Sequence, residues 1–226
     1  MTSARHSDGS TSRRRTPTQR RSRERVERIL DVAAELITEY GVAGLSTRAI
    51  ATRADVPVAS LYQYFADKEE IVLALVERDI AEMDEQVVRA VAALEALSVR
   101  TVVEATMRAF VAVYHERPAF VVIWWRDRTN AAVMRFCRQH NKRIAQYLFE
   151  FATNAGLLRP GTAPIVAELG VEVGDRVFQV AFEKDPNGDT HVIDEGVELV
   201  VAYLERHATP AGIAGIPPGS RRPAVP

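Results

Sequence analysis

Residues 29–70 read ILDVAAELITEYGVAGLSTRAIATRADVPVASLYQYFADKEE, and the spacing of this stretch predicts several short helices. Apolar residues recur every three or four positions over residues 26–40, which is typical of an amphipathic helix. Gly41 follows that pattern and is suited to end the helix. Ser46 is then placed to cap a second, shorter helix through its side-chain oxygen.

A third short helix is predicted over residues 58–64, after a turn at residues 55–57. Pro57 has no amide hydrogen, so it suits the start of that helix better than its middle. Asp67 and Glu70 have the spacing of a capping box and predict the start of a fourth helix. Three short helices joined by tight turns match the plan of a helix-turn-helix DNA reader, with the third helix as the reader.

Charge is distributed unevenly along the 226 residues. The formal net charge is -1, yet residues 1–66 carry 11 arginines against seven acidic residues, and the remainder has an acidic excess of five. The first 25 residues are rich in arginine and nearly devoid of apolar side chains, so they cannot fold alone. This basic segment is either a solvated tail or an arm that follows a phosphate backbone.

The rest of the chain is predicted to be helical. Apolar periodicity and capping residues predict helices over residues 99–115, 118–128, 131–155, 163–184 and 192–207. The expected fold class is therefore all-α, with an N-terminal helix-turn-helix domain and a C-terminal helical domain. The expected organisation is a disordered basic arm (1–21), a helix-turn-helix domain (22–66), a helical effector-binding and dimerisation domain (67–207) and a flexible tail (208–226).

Several classes of protein are disfavoured by the sequence. The longest apolar run, residues 119–125, is far shorter than the roughly 20 residues needed to span a bilayer. No signal-peptide pattern is evident, so a cytoplasmic location is expected. Nucleotide-loop, nucleophile-elbow and zinc-protease motifs are missing, and the histidines are more typical of surface or packing positions. We therefore expect no enzyme, no metal and no cofactor.

Residues 29–70 closely resemble the signature of the tetracycline-repressor (TetR) family. The likeness rests on Ala33-Ala34, Tyr40-Gly41, Ser46-Thr47, Ile50-Ala51 and Leu61-Tyr62-Gln63-Tyr64-Phe65, followed by Asp67-Lys68-Glu69. It covers about the first third of the chain, and beyond Leu75 only the helical architecture is similar. Asp55 stands where the family commonly has glycine, and Pro57 stands where a small capping residue is usual.

The resemblance implies that residues of the second to fourth helices contact double-stranded DNA at a palindromic operator. Ser46, Thr47 and Arg48 would meet phosphates or a guanine edge. Val58, Ala59 and Ser60 would enter the major groove. The remaining implied contacts, mainly to the DNA backbone, come from Tyr62, Gln63, Tyr64 and Lys68. For the two tyrosines, packing with an exposed hydroxyl is the alternative.

Aromatic residues are concentrated in the middle of the chain, where the family keeps an effector cavity. The resemblance implies a small apolar or aromatic effector there, although each side chain is also suited to fill a core. The candidate ligand-binding residues are Met107, Phe110, Tyr114, Phe120, Trp124, Trp125, Phe136 and Tyr147.

A small-residue face on the penultimate helix suggests close approach of another helix. In the family this helix and the last one form a four-helix dimer interface, whereas packing within one chain is the alternative. The candidate interface residues are Gly170, Gly174, Val177, Phe178, Ala181, Val197 and Val201.

Together these expectations describe a homodimeric repressor that a small effector releases from an inverted-repeat operator. A non-specific DNA-binding protein without an effector remains an alternative. An all-helical small-molecule-binding protein is the other.

Overall fold

The computed structural model describes residues 17–126 and 130–217, and this part of the chain is almost entirely helical. Its helices are α1 (Pro17–Tyr40), α2 (Thr47–Arg53), α3 (Val58–Leu61), α4 (Lys68–Ala92), α5 (Val99–Glu116), α6 (Pro118–Val121), α7 (Ala131–Asn154), α8 (Ile165–Phe182), α9 (Thr190–Glu205) and α10 (Pro210–Ala214). A π-helical turn, Val122–Arg126, continues α6. Within these residues, no helix combines the length and apolar composition needed to cross a membrane.

The predicted helix caps are present. The Ser46 hydroxyl accepts a hydrogen bond from the Ala49 amide, and the Asp67 carboxylate accepts one from the Glu70 amide at 2.9 Å. The Glu70 carboxylate reaches back to the Ala66 amide, so two free donors at the start of α4 are satisfied reciprocally. Local side-chain chemistry therefore fixes where α2 and α4 begin.

Helices α1 to α3 pack around fully buried aliphatic residues and rest on the first turns of α4. Ile29 and Ile37 of α1, Ile50 of α2, Leu61 of α3 and Ile71 of α4 are all inaccessible to solvent. Because α4 runs on for 25 residues and packs against α5 and α7, one continuous helix belongs to both halves of the molecule.

The larger half has its core between α5, α7 and the antiparallel pair α8 and α9. Tyr114 lies at the centre of an aromatic cluster, where it stacks on Phe120 and meets the edges of Phe178 and Phe182. All four residues are buried. Aromatic pairs of this kind stabilise a core beyond the area that they bury.

The structure corrects the sequence expectations at both ends of the described chain. Helix α1 begins at Pro17, so the last part of the expected arm is helical; residues 1–16 lie outside the described residues. The expected flexible tail is wrong for residues 208–217, because Thr209 caps α10 and Ile216 exchanges two backbone hydrogen bonds with Leu97. Residues 218–226 lie outside the described residues.

Two internal helices also differ from expectation. The third helix is α-helical only to Leu61 and continues as turns to Tyr64. The helix expected over 118–128 consists of α6 and the π-helical turn, and residues 127–129 are not among those described.

Candidate nucleic-acid interface and ligand cavity

Helix α3 and the turn after it present one buried and one exposed face. Leu61 and Phe65 are buried against α1 and α2, whereas Val58 is 40% exposed and Tyr62 53% exposed. Ala59 and Gln63 are also exposed, and Ser60 is half-buried. The residues expected to read base edges therefore stand at the surface of the folded chain.

The start of α2 lies beside this surface. Thr47 Oγ1 and the Tyr62 hydroxyl are 3.2 Å apart, a hydrogen bond that joins the two helices at their outer edge. Arg48 is exposed on α2, and Lys68 is half-buried in the first turn of α4. Thr47, Arg48 and Tyr62 thus form one polar rim next to Val58 and Ala59.

Tyr64 differs from Tyr62 because its hydroxyl faces α1. Ser22 donates a hydrogen bond to that hydroxyl at 3.3 Å, and Tyr64 is half-buried. The same stretch of α1 carries the exposed cations Arg20, Arg21 and Arg23. Arg20, Arg21 and Arg23 are therefore held next to the α3 surface as part of α1.

An ion-pair clamp that the sequence analysis missed holds α2 to α1. Arg53 donates two hydrogen bonds to the Glu39 carboxylate, at 2.9 and 2.6 Å, and lies 3.2 Å from Glu35. The hydrogen bonds from Arg53 lower the pKa of Glu39 below its ordinary value. The clamp holds α2 against α1, and these two helices lie beside the α3 surface.

A second charged cluster joins α1 to α4. Arg78 of α4 contacts Asp31 at 2.7 Å and Glu27 at 3.3 Å. The neighbouring Asp79 is buried, and burial raises its pKa although Arg78 and Arg117 oppose that shift. These contacts join α1 to α4 where the two halves of the molecule meet.

The larger half contains a partly open apolar cavity of about 120 Å³ between α4, α5, α7, α8 and α9. Of the eight candidate ligand-binding residues, Met107, Phe110, Tyr114 and Trp124 line it. The other four are placed elsewhere: Phe120 and Trp125 are buried against Tyr114, Phe136 lies under Arg143, and Tyr147 pairs with Phe151.

Polar residues of the cavity wall were missed by the sequence analysis. Thr106, His140, Asn141 and Asp175 line it together with the aromatic residues. His140 Nε2 lies 2.7 Å from the Asp84 carboxylate of α4, and Asn141 donates a hydrogen bond to Glu172. A spacing of three or four residues cannot tell a polar residue that lines a cavity from one at the surface.

The structure corrects the face proposed for dimerisation. Gly170, Gly174, Phe178, Ala181 and Val201 are buried within the chain, and Val177 packs directly on Gly196 of α9. Val197 is half-buried. Gly196 therefore allows α8 and α9 of the same chain to pack closely, whereas Gly174 lines the cavity. The exposed face of this helix pair instead carries Ile165, Leu169, Val180 and Leu199.

In this fold an exposed helix-turn-helix unit is joined by a shared helix to an all-helical domain. That arrangement is typical of one class of DNA-binding regulators. Residues 29–75 match the family model for bacterial regulatory proteins of the tetR family, and residues 98–204 match a tetracyclin repressor-like C-terminal domain. The chain belongs to the TetR family.

Among curated relatives, the chain is similar to the transcriptional repressor KstR. It is 37% identical to KstR of Mycolicibacterium smegmatis over 68 residues, or 30% of this chain and 33% of that protein. For KstR of Mycobacterium tuberculosis, identity is 37% over 62 residues, or 27% and 28% of the two chains. The match thus spans about a third of these relatives.

Solved structures extend the likeness to both halves. A TetR-family regulator from Streptomyces coelicolor is 29% identical, with 81% of this chain and 99% of that chain covered and a TM-score of 0.65. The regulator FadR from Bacillus subtilis, solved with stearoyl-CoA, is 16% identical over 78% and 98% of the two chains, with a TM-score of 0.65. The FadR likeness is one of fold.

Proposed function

We propose that this chain is a transcriptional repressor that binds an inverted-repeat operator as a homodimer and is released by a small apolar effector. The exposed α3 surface carries the proposal, because Val58, Ala59 and Gln63 face outward while Leu61 and Phe65 anchor the helix. The similarity of residues in this half to KstR supports repression. Such an activity places the protein in the cytoplasm with the chromosome.

The residues of the α3 surface have separate tasks in this proposal. Val58 and Ala59 contact thymine methyl groups, and Ser60 and Gln63 bond to base edges or phosphates in the major groove. Thr47, Arg48, Tyr62 and Lys68 contact the phosphate backbone around it. Because Tyr64 bonds to Ser22, its part is to hold α3 against α1.

Dimerisation uses the exposed face of α8 and α9 defined by Ile165, Leu169, Val180 and Leu199. These are four of the eight large apolar side chains that are exposed among the described residues, and they lie on two adjacent helices. Large exposed apolar side chains on adjacent helices mark a candidate protein interface. Twofold symmetry then sets two α3 helices about 34–36 Å apart, which matches successive major grooves.

Effector control follows from the position of α4. The helix contributes Met83 to the cavity wall and Arg78 to the contacts with α1. A ligand that fits one position of α4 better than another shifts the population of dimers between two α3 spacings. The effector can release the dimer from the operator only to the extent that its affinities for these two positions of α4 differ.

Selection of bound sequences from a random duplex pool tests the proposal. We expect a palindromic sequence, with specific binding at least about a thousandfold tighter than binding to random duplex at the same salt concentration. Enrichment of no sequence, with binding that only follows salt concentration, would show the non-specific alternative. Failure of every duplex to bind at low salt would leave an all-helical small-molecule-binding protein.

A further inference from the structure

Two buried polar groups in the cavity wall have no hydrogen-bond partner among the described residues. They are Oγ1 of Thr106 on α5 and Nδ1 of His140 on α7. Thr106 is 7% exposed and His140 is 3% exposed, and both line the same cavity. An unpaired buried polar group is costly, so two in one cavity require an explanation.

The tautomer of His140 follows from its other ring nitrogen. Nε2 lies 2.7 Å from an Asp84 carboxylate oxygen, which accepts hydrogen bonds, so Nε2 carries the hydrogen. Nδ1 has no hydrogen-bond partner among the described residues, so a hydrogen on it would have no acceptor. Nδ1 is therefore an acceptor that lacks a donor, on a residue that lines the cavity.

We infer that the effector is a largely apolar molecule bearing one hydroxyl group, which donates its hydrogen to Nδ1 of His140. The hydroxyl of Thr106 provides a second hydrogen-bonding group to the same ligand. The aromatic side chains of Phe110, Tyr114 and Trp124 contact its apolar body. This inference rests on the proposed function, in which the cavity holds the effector.

The same imidazole connects the ligand to the DNA-binding half. Asp84 belongs to α4, so the hydrogen bond that orients His140 also ties α7 to the helix that leads to α3. A donor at Nδ1 makes Nε2–H a more polarised donor to Asp84, because hydrogen bonds in a chain strengthen one another. His140 thus acts as the positioning residue between effector and α4.

Three naphthalene derivatives test the inference by isothermal titration calorimetry on the full chain without DNA. The cavity of about 120 Å³ takes one aromatic ring, and because it is partly open the second ring extends toward its mouth. The probes are 2-naphthol, which donates; 2-methoxynaphthalene, which only accepts; and 2-naphthoate, which is an anion. We expect 2-naphthol to bind about tenfold more tightly than either of the others.

Two substitutions separate the roles of the wall residues. His140→Gln keeps a donor for Asp84 but removes the Nδ1 acceptor, and Thr106→Val removes a hydroxyl at nearly constant volume. His140→Gln is expected to weaken 2-naphthol binding about tenfold and to leave 2-methoxynaphthalene binding within about threefold, whereas Thr106→Val removes a donor that either ligand oxygen accepts from and is expected to weaken both. Thr153→Val and His191→Gln, at exposed positions, are the matched controls and should change neither.

Equal affinity for 2-naphthol and 2-methoxynaphthalene, tighter binding of 2-naphthoate, or no binding of any probe would overturn the inference. The comparison of probes on the unchanged protein stands even if a variant fails to fold, which circular dichroism detects. Duplex binding is measured separately without ligand. A protein that selects 2-naphthol but binds no duplex would contradict the proposed function and not the hydroxyl preference.

Discussion

Asp55 has a left-handed backbone, with φ of 51°, in the turn between α2 and α3. A side chain in this conformation costs about 1–2 kcal/mol, and Asp is tolerated better than most residues because it bonds locally. Asp55→Ala is therefore expected to lower the free energy of unfolding by about 1 kcal/mol. Asp55→Gly should change it by less than about 0.5 kcal/mol, because relief of strain offsets the greater freedom of the unfolded chain.

Urea denaturation followed by circular dichroism measures both Asp55 variants. Equal stability of the Ala and Gly variants would mean that the turn relaxes to another conformation. The sequence has Asp at position 55, where the family commonly has glycine. The turn nevertheless keeps the left-handed backbone that glycine would adopt.

Thr106 gives a second test at single-residue scale. Its hydroxyl is buried without a partner among the described residues, so Thr106→Val is expected to stabilise the ligand-free protein by about 1 kcal/mol. For a chain of this size that raises Tm by about 2–4 °C. Thermal unfolding without ligand checks this, with Thr153→Val as the exposed control. A destabilised Thr106→Val variant would indicate that the hydroxyl is already hydrogen-bonded.

At the scale of elements, the residues of α3 and its flanking helices fall into two proposed groups. One group sets the overall affinity for DNA, and the other sets the preferred sequence. Tyr62→Ala and Lys68→Ala each remove one contact proposed for the phosphate backbone. Both should weaken binding to operator and random duplex alike, and Lys68→Ala should reduce the salt slope by about one. Ser60→Ala should instead cost about 1–3 kcal/mol on operator only and alter the preferred sequence.

Fluorescence anisotropy on operator and random duplexes over a range of salt concentrations measures these effects. Glu183→Ala, exposed at the end of α8, is a control that should leave both affinities unchanged. If Ser60→Ala weakens both duplexes equally, Ser60 contacts the backbone and the assignment of roles must be exchanged.

The helices were predictable because their signals are local. Ser46 and Asp67 cap helices through residues three positions away, and the apolar spacing of α4 follows directly from the sequence. The order in residues 208–217 was not predictable, since Ile216 is held by Leu97, more than one hundred residues away. The start of α1 at Pro17 was missed because its first turns are arginine-rich and have no apolar stripe.

Surface positions near α3 were predictable for the same reason, whereas the cavity and the helix-pair face were not. The small residues at Gly170 and Gly174 indicated close helix packing, but Gly170 meets Leu204 of α9 in the same chain and Gly174 lines the cavity. His140 could be recognised as a candidate ligand-binding residue only in the structure, where Asp84 lies beside it although it is 56 positions away in the sequence. Which face of a helix meets a cavity or another chain depends on contacts between distant segments.

At the scale of the whole molecule, the proposed dimer face decides whether two α3 helices act together. Leu169 is exposed on α8, one turn after Ile165, where the proposed dimerisation would bury it. Leu169→Glu places an unpaired carboxylate there, and the expected cost is about 3 kcal/mol or more, equal to at least about a hundredfold in the dimer dissociation constant.

Ile213→Glu is a matched control, because Ile213 of α10 is similarly exposed, at 52% against 47% for Leu169, but lies outside the proposed face. Analytical ultracentrifugation should show a dimer for the unchanged protein and for Ile213→Glu, and a monomer for Leu169→Glu. The monomer keeps its cavity, so binding of 2-naphthol should persist while operator affinity falls. A Leu169→Glu variant that remains dimeric would place the interface elsewhere, since one charge cannot be buried there without loss of affinity.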